Sequence, residues 1–129
     1  MDSAQEAIGK IRAEGKNSGP MEIMVLDLAS LKSVKDFATL FQIQYKSVSA
    51  PIIYYVKCSK KICFRTLDML ILNAAVMGLP FELTMDGYET HFQVNHLSHF
   101  YLTLLLKPIL VKTFCSRVVF VSSESHRFA

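Results

Sequence analysis

Apolar residues recur along the chain in patterns that favour different elements. They form short, nearly continuous runs at residues 21–26, 67–72 and 117–121, which are typical of strands covered on both faces. Residues 3–14 and the stretch after Ser30 instead place apolar residues at helical spacing, as amphipathic helices do. Because serine is a favourable N-cap, we expect the second of these helices to begin directly after Ser30.

The second half of the chain continues this alternation. Thr84 is placed to cap a helix beginning at about Met85. Residues 94–111 are apolar nearly all round, which predicts a helix buried on most faces, and Pro108 is expected to bend or shorten it. Strands that alternate with helices predict an α/β fold with a mainly parallel sheet and helices on both faces.

Residues 44–66 interrupt the alternation. A helix and the next strand are usually joined by a handful of residues, and this connection is several times longer. Its centre, residues 50–56, is rich in branched and aromatic side chains and is a candidate strand, with Pro51 favouring an edge or a first position. We therefore predict one domain over residues 1–129 with an atypical insertion at about 44–66.

Composition and charge narrow the class of protein. An apolar fraction of 51% and a charged fraction of 19% indicate a globular domain. The formal net charge of +3 arises locally, because residues 37–67 hold cations and no acid, and we interpret these cations as a solvated face rather than a nucleic-acid site. The cations are Lys46, Lys57, Lys60, Lys61 and Arg65.

Cysteine usage and hydropathy point to a cytoplasmic protein. Cys58, Cys63 and Cys115 form no CxxC pair and have no histidine at zinc-ligand spacing, which argues against a disulfide framework and a metal site. The first ten residues lack the pattern of a secretory signal, and the apolar runs are too short to cross a bilayer.

Polar or small residues follow the predicted strands. Asp27 comes after the first run, Asn73, Ala74 and Ala75 after the second, and Ser122 with Ser123 after the third. In a parallel sheet these positions meet at one edge, where ligand crevices form. The convergence favours a binding site over ordinary loop exits.

These segments resemble the short-chain dehydrogenase/reductase family, and within it the retinol dehydrogenase-like subgroup. Asp27-Leu28 is similar to the family's adenine-contacting pair, and Leu72 to Ala75 to its Asn-Asn-Ala-Gly turn, from which Leu72 and Ala75 depart. Phe92-Gln-Val-Asn95 resembles the segment with the catalytic asparagine. Residues 119–123 resemble the strand whose second serine, here Ser123, holds the substrate carbonyl.

The resemblance implies a partial Rossmann-like, doubly wound parallel sheet that uses NAD or NADP on a lipophilic alcohol or carbonyl, such as a retinoid or steroid. In the family a tyrosine, with a lysine four residues later, is the acid/base, and none of the tyrosines here has that lysine. The glycine-rich phosphate turn also has no counterpart. We therefore expect a fragment that is incomplete at both ends, binds phosphate poorly and is inactive alone.

Two questions follow from the missing parts. The sheet would have a gap, which is closed either by direct pairing of residues 21–26 with residues 67–72 or by residues 52–56 acting as a substitute strand. A third possibility is a chain that does not fold stably. The alternative function is a non-catalytic interaction module, because residues 95–110 resemble the family's subunit-contact helix and are suited to pairing with intact relatives in a homo- or hetero-oligomer.

Overall fold

The structure is a computed structural model that describes residues 2–14, 22–47 and 66–124. Helix α1 spans Asp2–Glu14, helix α2 Leu31–Ser47, strand β1 Met69–Leu72, helix α3 Thr90–Phe92, helix α4 Ser98–Lys112 and strand β2 Arg117–Phe120. A π-helical turn at Gln93–Leu97 joins α3 to α4. None of the helices in the described ranges is both long and apolar enough to cross a membrane.

Strands β1 and β2 pair in parallel. Met69 lies opposite Arg117 and Leu72 opposite Phe120. Backbone bonds continue the ladder past both ends, from Arg117 N–H to the Asp68 carbonyl at 2.8 Å and from Val121 N–H to the Leu72 carbonyl at 3.0 Å. Because a helical crossover joins the two strands, they form a strand–helix–strand unit, and the predicted partial Rossmann-like α/β fold is confirmed.

The core lies where α2 and α4 pack together over β1. Apolar side chains from all three elements are buried there, and the Phe37 and Phe41 rings stack with centroids 6.1 Å apart. Leu106 on α4 is only 1% exposed. The predicted helix after Ser30 is confirmed, because the Ser30 hydroxyl accepts the Ser33 N–H at 3.2 Å.

The strand predicted at residues 21–26 is wrong for its described part, since residues 22–26 form no strand. Met24 and Leu26 nevertheless pack against the core. The apolar pattern therefore predicted which side chains pack against the core. A strand also needs a neighbouring strand to bond its backbone groups. Among the described residues, β1 pairs only with β2. Direct pairing of this segment with β1 is thus excluded, and residues 52–56 lie outside the described ranges.

The helix predicted from Met85 is also wrong. Gly87 adopts φ +82° in a turn in which the Thr84 N–H donates to the Tyr88 carbonyl at 2.8 Å. A left-handed glycine ends helical propagation, so the helix starts later, at Thr90. Glu89 is its N-cap, and its carboxylate accepts the His91 and Phe92 N–H groups at 3.0 and 2.7 Å.

Helix α4 and strand β2 are more exposed than their sequences predict. Helix α4 runs through Pro108 to Lys112, so the expected shortening is wrong. Pro108 leaves the Leu104 carbonyl without its helical donor, and water can satisfy it because Leu104 is on the exposed side. All four residues of β2 are exposed as well. The described elements cover α4 on one side only.

Candidate functional site

The chain turns at Asp27, Leu28 and Ala29 before α2. One Asp27 carboxylate oxygen accepts the Ala29 N–H at 2.9 Å, and the Asp27 N–H donates to the Ser33 hydroxyl at 3.0 Å. These bonds form an Asx-type turn that fixes the carboxylate at the start of the helix. Asp27 itself is exposed, so the carboxylate stays within reach of a ligand.

The carbonyl of Leu28 is held from the opposite side of the site. The Ser98 hydroxyl donates to it at 2.6 Å, and the Gln93 side-chain amide approaches it at 3.5 Å. Gln93 is fully buried and also donates to the Asp86 carboxylate at 2.7 Å, which in turn accepts the Leu31 N–H at 2.7 Å. This network, in which Gln93 and Ser98 are buried and Asp86 is exposed, ties the turn to the first residue of α2 and to the π turn.

Sequence reasoning missed the network because its members are far apart in the chain. Asp86 and Leu31 are separated by 55 positions. The available signal was Gln93, a large polar side chain directly before residues 94–111, which are predicted to be buried on most faces, since buried polar groups are nearly always hydrogen-bonded.

The turn after β1 is held by Asn95. The Asn95 side-chain oxygen accepts the Val76 N–H at 2.8 Å, and its amide nitrogen donates to the Val76 carbonyl at 2.8 Å. Asn95 occupies the middle of the π turn, where the Ser98 N–H bonds the Gln93 carbonyl. Irregular helical turns of this kind are frequent at functional sites. The two bonds fix the loop just beyond Asn73, Ala74 and Ala75.

Leu28, Asn73 and Ala74 line one cavity of about 390 Å³. The structure thus brings three of the residues predicted for cofactor binding together, while Asp27 and Ala75 lie outside the lining. Leu28 contributes an apolar wall, and Ala74 has a side chain small enough to leave the adjacent backbone accessible. A planar, largely apolar ring system suits such a wall.

Ser123 lies beyond β2 on the edge where the β1 turn also lies. The bond from Val121 N–H to the Leu72 carbonyl keeps the two strand exits side by side. Ser122 and Ser123 are both exposed there. Of the three segment ends expected to converge, those of β1 and β2 lie side by side. The third, the Asp27 turn, meets the end of β1 through Leu28, which lines the cavity together with Asn73 and Ala74.

A second polar cluster fixes the loop between β1 and α3. The His91 ring donates to Glu89 through Nδ1 at 2.6 Å and accepts the Leu79 N–H through Nε2 at 3.2 Å. The His91 hydrogen bond, followed by the backbone N–H groups of His91 and Phe92, lowers the pKa of Glu89 to about 2. Both ring nitrogens of His91 are therefore used, and the described residues contain no metal-ligand cluster.

Comparison with known proteins gives this arrangement a context. The family model "short chain dehydrogenase" matches residues 16–128. The human WW domain-containing oxidoreductase is 44% identical over 99% of this chain and 26% of its own length. Mouse retinol dehydrogenase 12 is 39% identical over 95% of the chain and 32% of its own length. Zebrafish polyprenol dehydrogenase is 40% identical over 93% of the chain and 32% of its own length.

A solved structure supports the fold. A crystal structure of a protein from Mycobacterium paratuberculosis superposes with a TM-score of 0.60 at 34% identity, covering 95% of this chain and 34% of that one. The chain thus spans about a quarter to a third of the proteins it matches. The parallel unit and its converging strand ends, together with a family model that covers most of the chain, show that the protein belongs to the short-chain dehydrogenase family of NAD(P)-dependent oxidoreductases.

Proposed function

We propose that the chain binds the adenosine half of NAD or NADP at the edge formed by Asp27, Leu28 and residues 73–75. The shared cavity lined by Leu28, Asn73 and Ala74 is the observation that carries the proposal. Asp27 adds a fixed, exposed carboxylate, which suits a hydrogen bond to an amino or hydroxyl group of adenosine.

The substrate end of the site is proposed to lie at Ser123. An exposed serine beside the exit of β1 suits hydrogen bonding to a carbonyl or hydroxyl oxygen. Asn95 is a positioning residue in this proposal, since both polar atoms of its side chain hold Val76. Two relatives are named for retinol and polyprenol, and we propose a lipophilic alcohol or carbonyl as the substrate here also.

Hydride transfer needs more than these residues provide. When bound, the nicotinamide supplies or accepts the hydride, and a positioned acid/base must handle the proton of the hydroxyl group. None of the tyrosines has a lysine four positions later. Because positioned acid/base catalysis contributes about 10²–10⁴-fold, we propose that the chain binds its ligands without turning them over by itself.

Calorimetric titration of the whole chain with NADH and NADPH tests the cofactor proposal. Ala74→Leu places a larger side chain in the cavity, and Ala7→Leu makes the same change on the exposed face of α1 as a control. We expect Ala74→Leu to weaken binding by at least about tenfold, equivalent to 1.4 kcal/mol, and Ala7→Leu to leave it unchanged. A folded wild-type chain that binds neither nucleotide would refute the proposal.

A second candidate function is supported by the outer side of α4. Phe100, Leu104 and Val111 recur at helical spacing and are 51%, 49% and 74% exposed. An apolar stripe on the helix that resembles the family's subunit-contact helix suits pairing with an intact family member. Leu104→Lys should abolish co-purification with a full-length relative, whereas Leu40→Lys, a similarly exposed change on α2, should not. Failure of the wild-type chain to be retained would remove this candidate.

A further inference from the structure

A dense group of exposed apolar side chains lies between β1 and α4. Met77 and Phe81 are 84% and 81% exposed, and Met85 is fully exposed. Further exposed apolar residues of this stretch are Leu79, Leu83, Tyr88 and Phe92. Apolar side chains that cluster on a surface mark interaction sites, whereas single ones are ordinary. We call this group, carried by residues 77–92, the loop surface.

Hydrogen bonds fold the loop surface back on itself. The Leu79 N–H donates to the His91 ring at 3.2 Å, and Leu83 pairs with Glu89 in an antiparallel bridge. The two arms of the loop therefore run side by side, and the apolar side chains that they carry lie close together. Because the backbone is fixed before a partner binds, little ordering is needed on this side of an interface.

Backbone bonding narrows the kind of partner. The Glu82 carbonyl already accepts the Thr90 N–H and hydroxyl at 3.0 and 2.9 Å, and the Thr84 N–H already donates to the Tyr88 carbonyl at 2.8 Å. An added strand needs such groups free, because main-chain hydrogen bonds provide its affinity. Recognition by side chains is therefore favoured, as when a helix lays its apolar face on an apolar surface, to which flexible methionines adapt well.

Charge determines the sign of the partner. No lysine or arginine occurs between Arg65 and Lys107, whereas Glu82, Asp86 and Glu89 belong to the loop surface. Glu82 is exposed and forms no ion pair among the residues that the structure describes. The net charge of +3 gives a cationic partner no general attraction to the chain, so attraction to this acidic region is local.

We propose that the loop surface binds a basic amphipathic helix of a partner protein. The apolar face of that helix covers the methionine and phenylalanine side chains, and its lysine or arginine residues pair with Glu82 and the neighbouring acids. The loop surface shares no residue with the apolar stripe on α4 or with the cavity lined by Leu28, Asn73 and Ala74. The interaction therefore requires neither a nucleotide nor an intact family member.

Two model peptides test the proposal by calorimetric titration of the whole chain. One is a short amphipathic helix of leucine and lysine, and the other has glutamate in place of every lysine. Both have the same apolar face, so the difference between their Kd values reports the effect of charge. We expect the basic peptide to bind saturably and the acidic peptide to bind at least about tenfold more weakly.

A matched pair of variants locates the site. Phe81→Ser removes an aromatic ring from the loop surface and should weaken binding of the basic peptide by at least about tenfold. Phe114→Ser makes the same change at a phenylalanine that is 92% exposed after α4, and should leave the Kd within about twofold of wild type. Since both rings are exposed, neither change should disturb the fold, which the circular dichroism spectrum verifies.

A measurement on the wild-type chain does not depend on any variant. The methyl resonances of Met77 and Met85 should shift when the basic peptide is added, whereas that of Met24, which packs against the core, should not. The proposal is overturned if the basic peptide does not bind, if its Kd is unchanged in Phe81→Ser, if the acidic peptide binds equally well, or if the two methyl groups do not respond. Binding of the chain to phosphatidylcholine vesicles without binding of the peptide would assign the loop surface to a membrane and overturn the proposal as well.

Discussion

The hydrogen-bond network around the buried Gln93 makes a quantitative prediction about stability. Replacing Gln93 by leucine keeps the side-chain volume close to that of glutamine and removes the bonds to Asp86, Thr84 and the Leu28 carbonyl. A hydrogen bond to a charged group contributes about 1.5–3 kcal/mol and a neutral one about 0.5–1.5 kcal/mol. Since the bond to the Leu28 carbonyl is long, and the buried leucine recovers part of the loss, Gln93→Leu should lower the free energy of unfolding by about 2–4 kcal/mol.

Gln42 provides the matched control. It is half-buried on α2 and, among the residues that the structure describes, makes one side-chain bond, to the Leu105 carbonyl at 2.9 Å. Gln42→Leu removes that single neutral bond and should lower the free energy of unfolding by about 0.5–1.5 kcal/mol.

Urea unfolding measures both variants. Far-ultraviolet circular dichroism suits this chain, because it contains no tryptophan for fluorescence. The midpoints should shift with unchanged m-values. If Gln93→Leu is no more destabilising than Gln42→Leu, the network does not hold the Leu28 turn, and the account of that turn fails.

Other variants test separate parts of the structure. Asn95→Ala removes both bonds to Val76 and should speed hydrogen exchange of the Val76 amide, while His96→Ala on the same turn should not; equal rates would contradict the clamp. Leu106→Ala should lower the free energy of unfolding by about 2–5 kcal/mol in urea melts, because the side chain is almost fully buried beside a cavity, and a loss below about 1 kcal/mol would be inconsistent with that packing.

The pKa of Glu89 is lowered from 4.5 to about 2, so the stability its carboxylate contributes is present above pH 4.5 and is lost as the pH falls toward 2. Glu89→Gln should therefore flatten the acid limb of the stability profile relative to wild type. An acid limb that is the same in both proteins would show that Glu89 does not cap α3.

Local pattern predicted the elements whose causes are local. The spacing of apolar residues on α2 and the serine at position 30 are enough to start that helix. The apolar runs at β1 and β2 predicted strands correctly, and each of these strands has the other as its partner. The parallel pairing also followed, since alternating strands and helices leave few other arrangements.

Most of the structural features that sequence reasoning predicted wrongly depend on contacts between residues far apart in the chain. Residues 22–26 have the apolar pattern of a strand but no strand beside them in the described part of the chain. The exposure of strand β2 was not predicted, because a sequence does not show which layers cover a strand. Thr84 does not start a helix, because Gly87 takes a left-handed conformation that places a turn there.

The candidate site was predicted by residue type and only partly by geometry. The positions of Asn73, Ala74 and Ser123 at strand exits follow from the sheet. The two hydrogen bonds between Asn95 and Val76 depend on tertiary contacts that local patterns do not encode. For the anchoring of Leu28 by Gln93 and Ser98, the polar side chain of Gln93 was the available local signal, but it did not identify the partners.

A nuclear magnetic resonance titration of the whole chain with NADH tests the central claim most directly, because it reports folding and the location of binding together. Dispersed resonances should be present before ligand is added, and the amides of Leu28, Asn73 and Ala74 should shift in a saturable way. A folded chain in which these amides stay fixed while NADH is added, or in which only distant residues respond, would contradict the claim that this edge of the sheet binds the adenosine half of the cofactor.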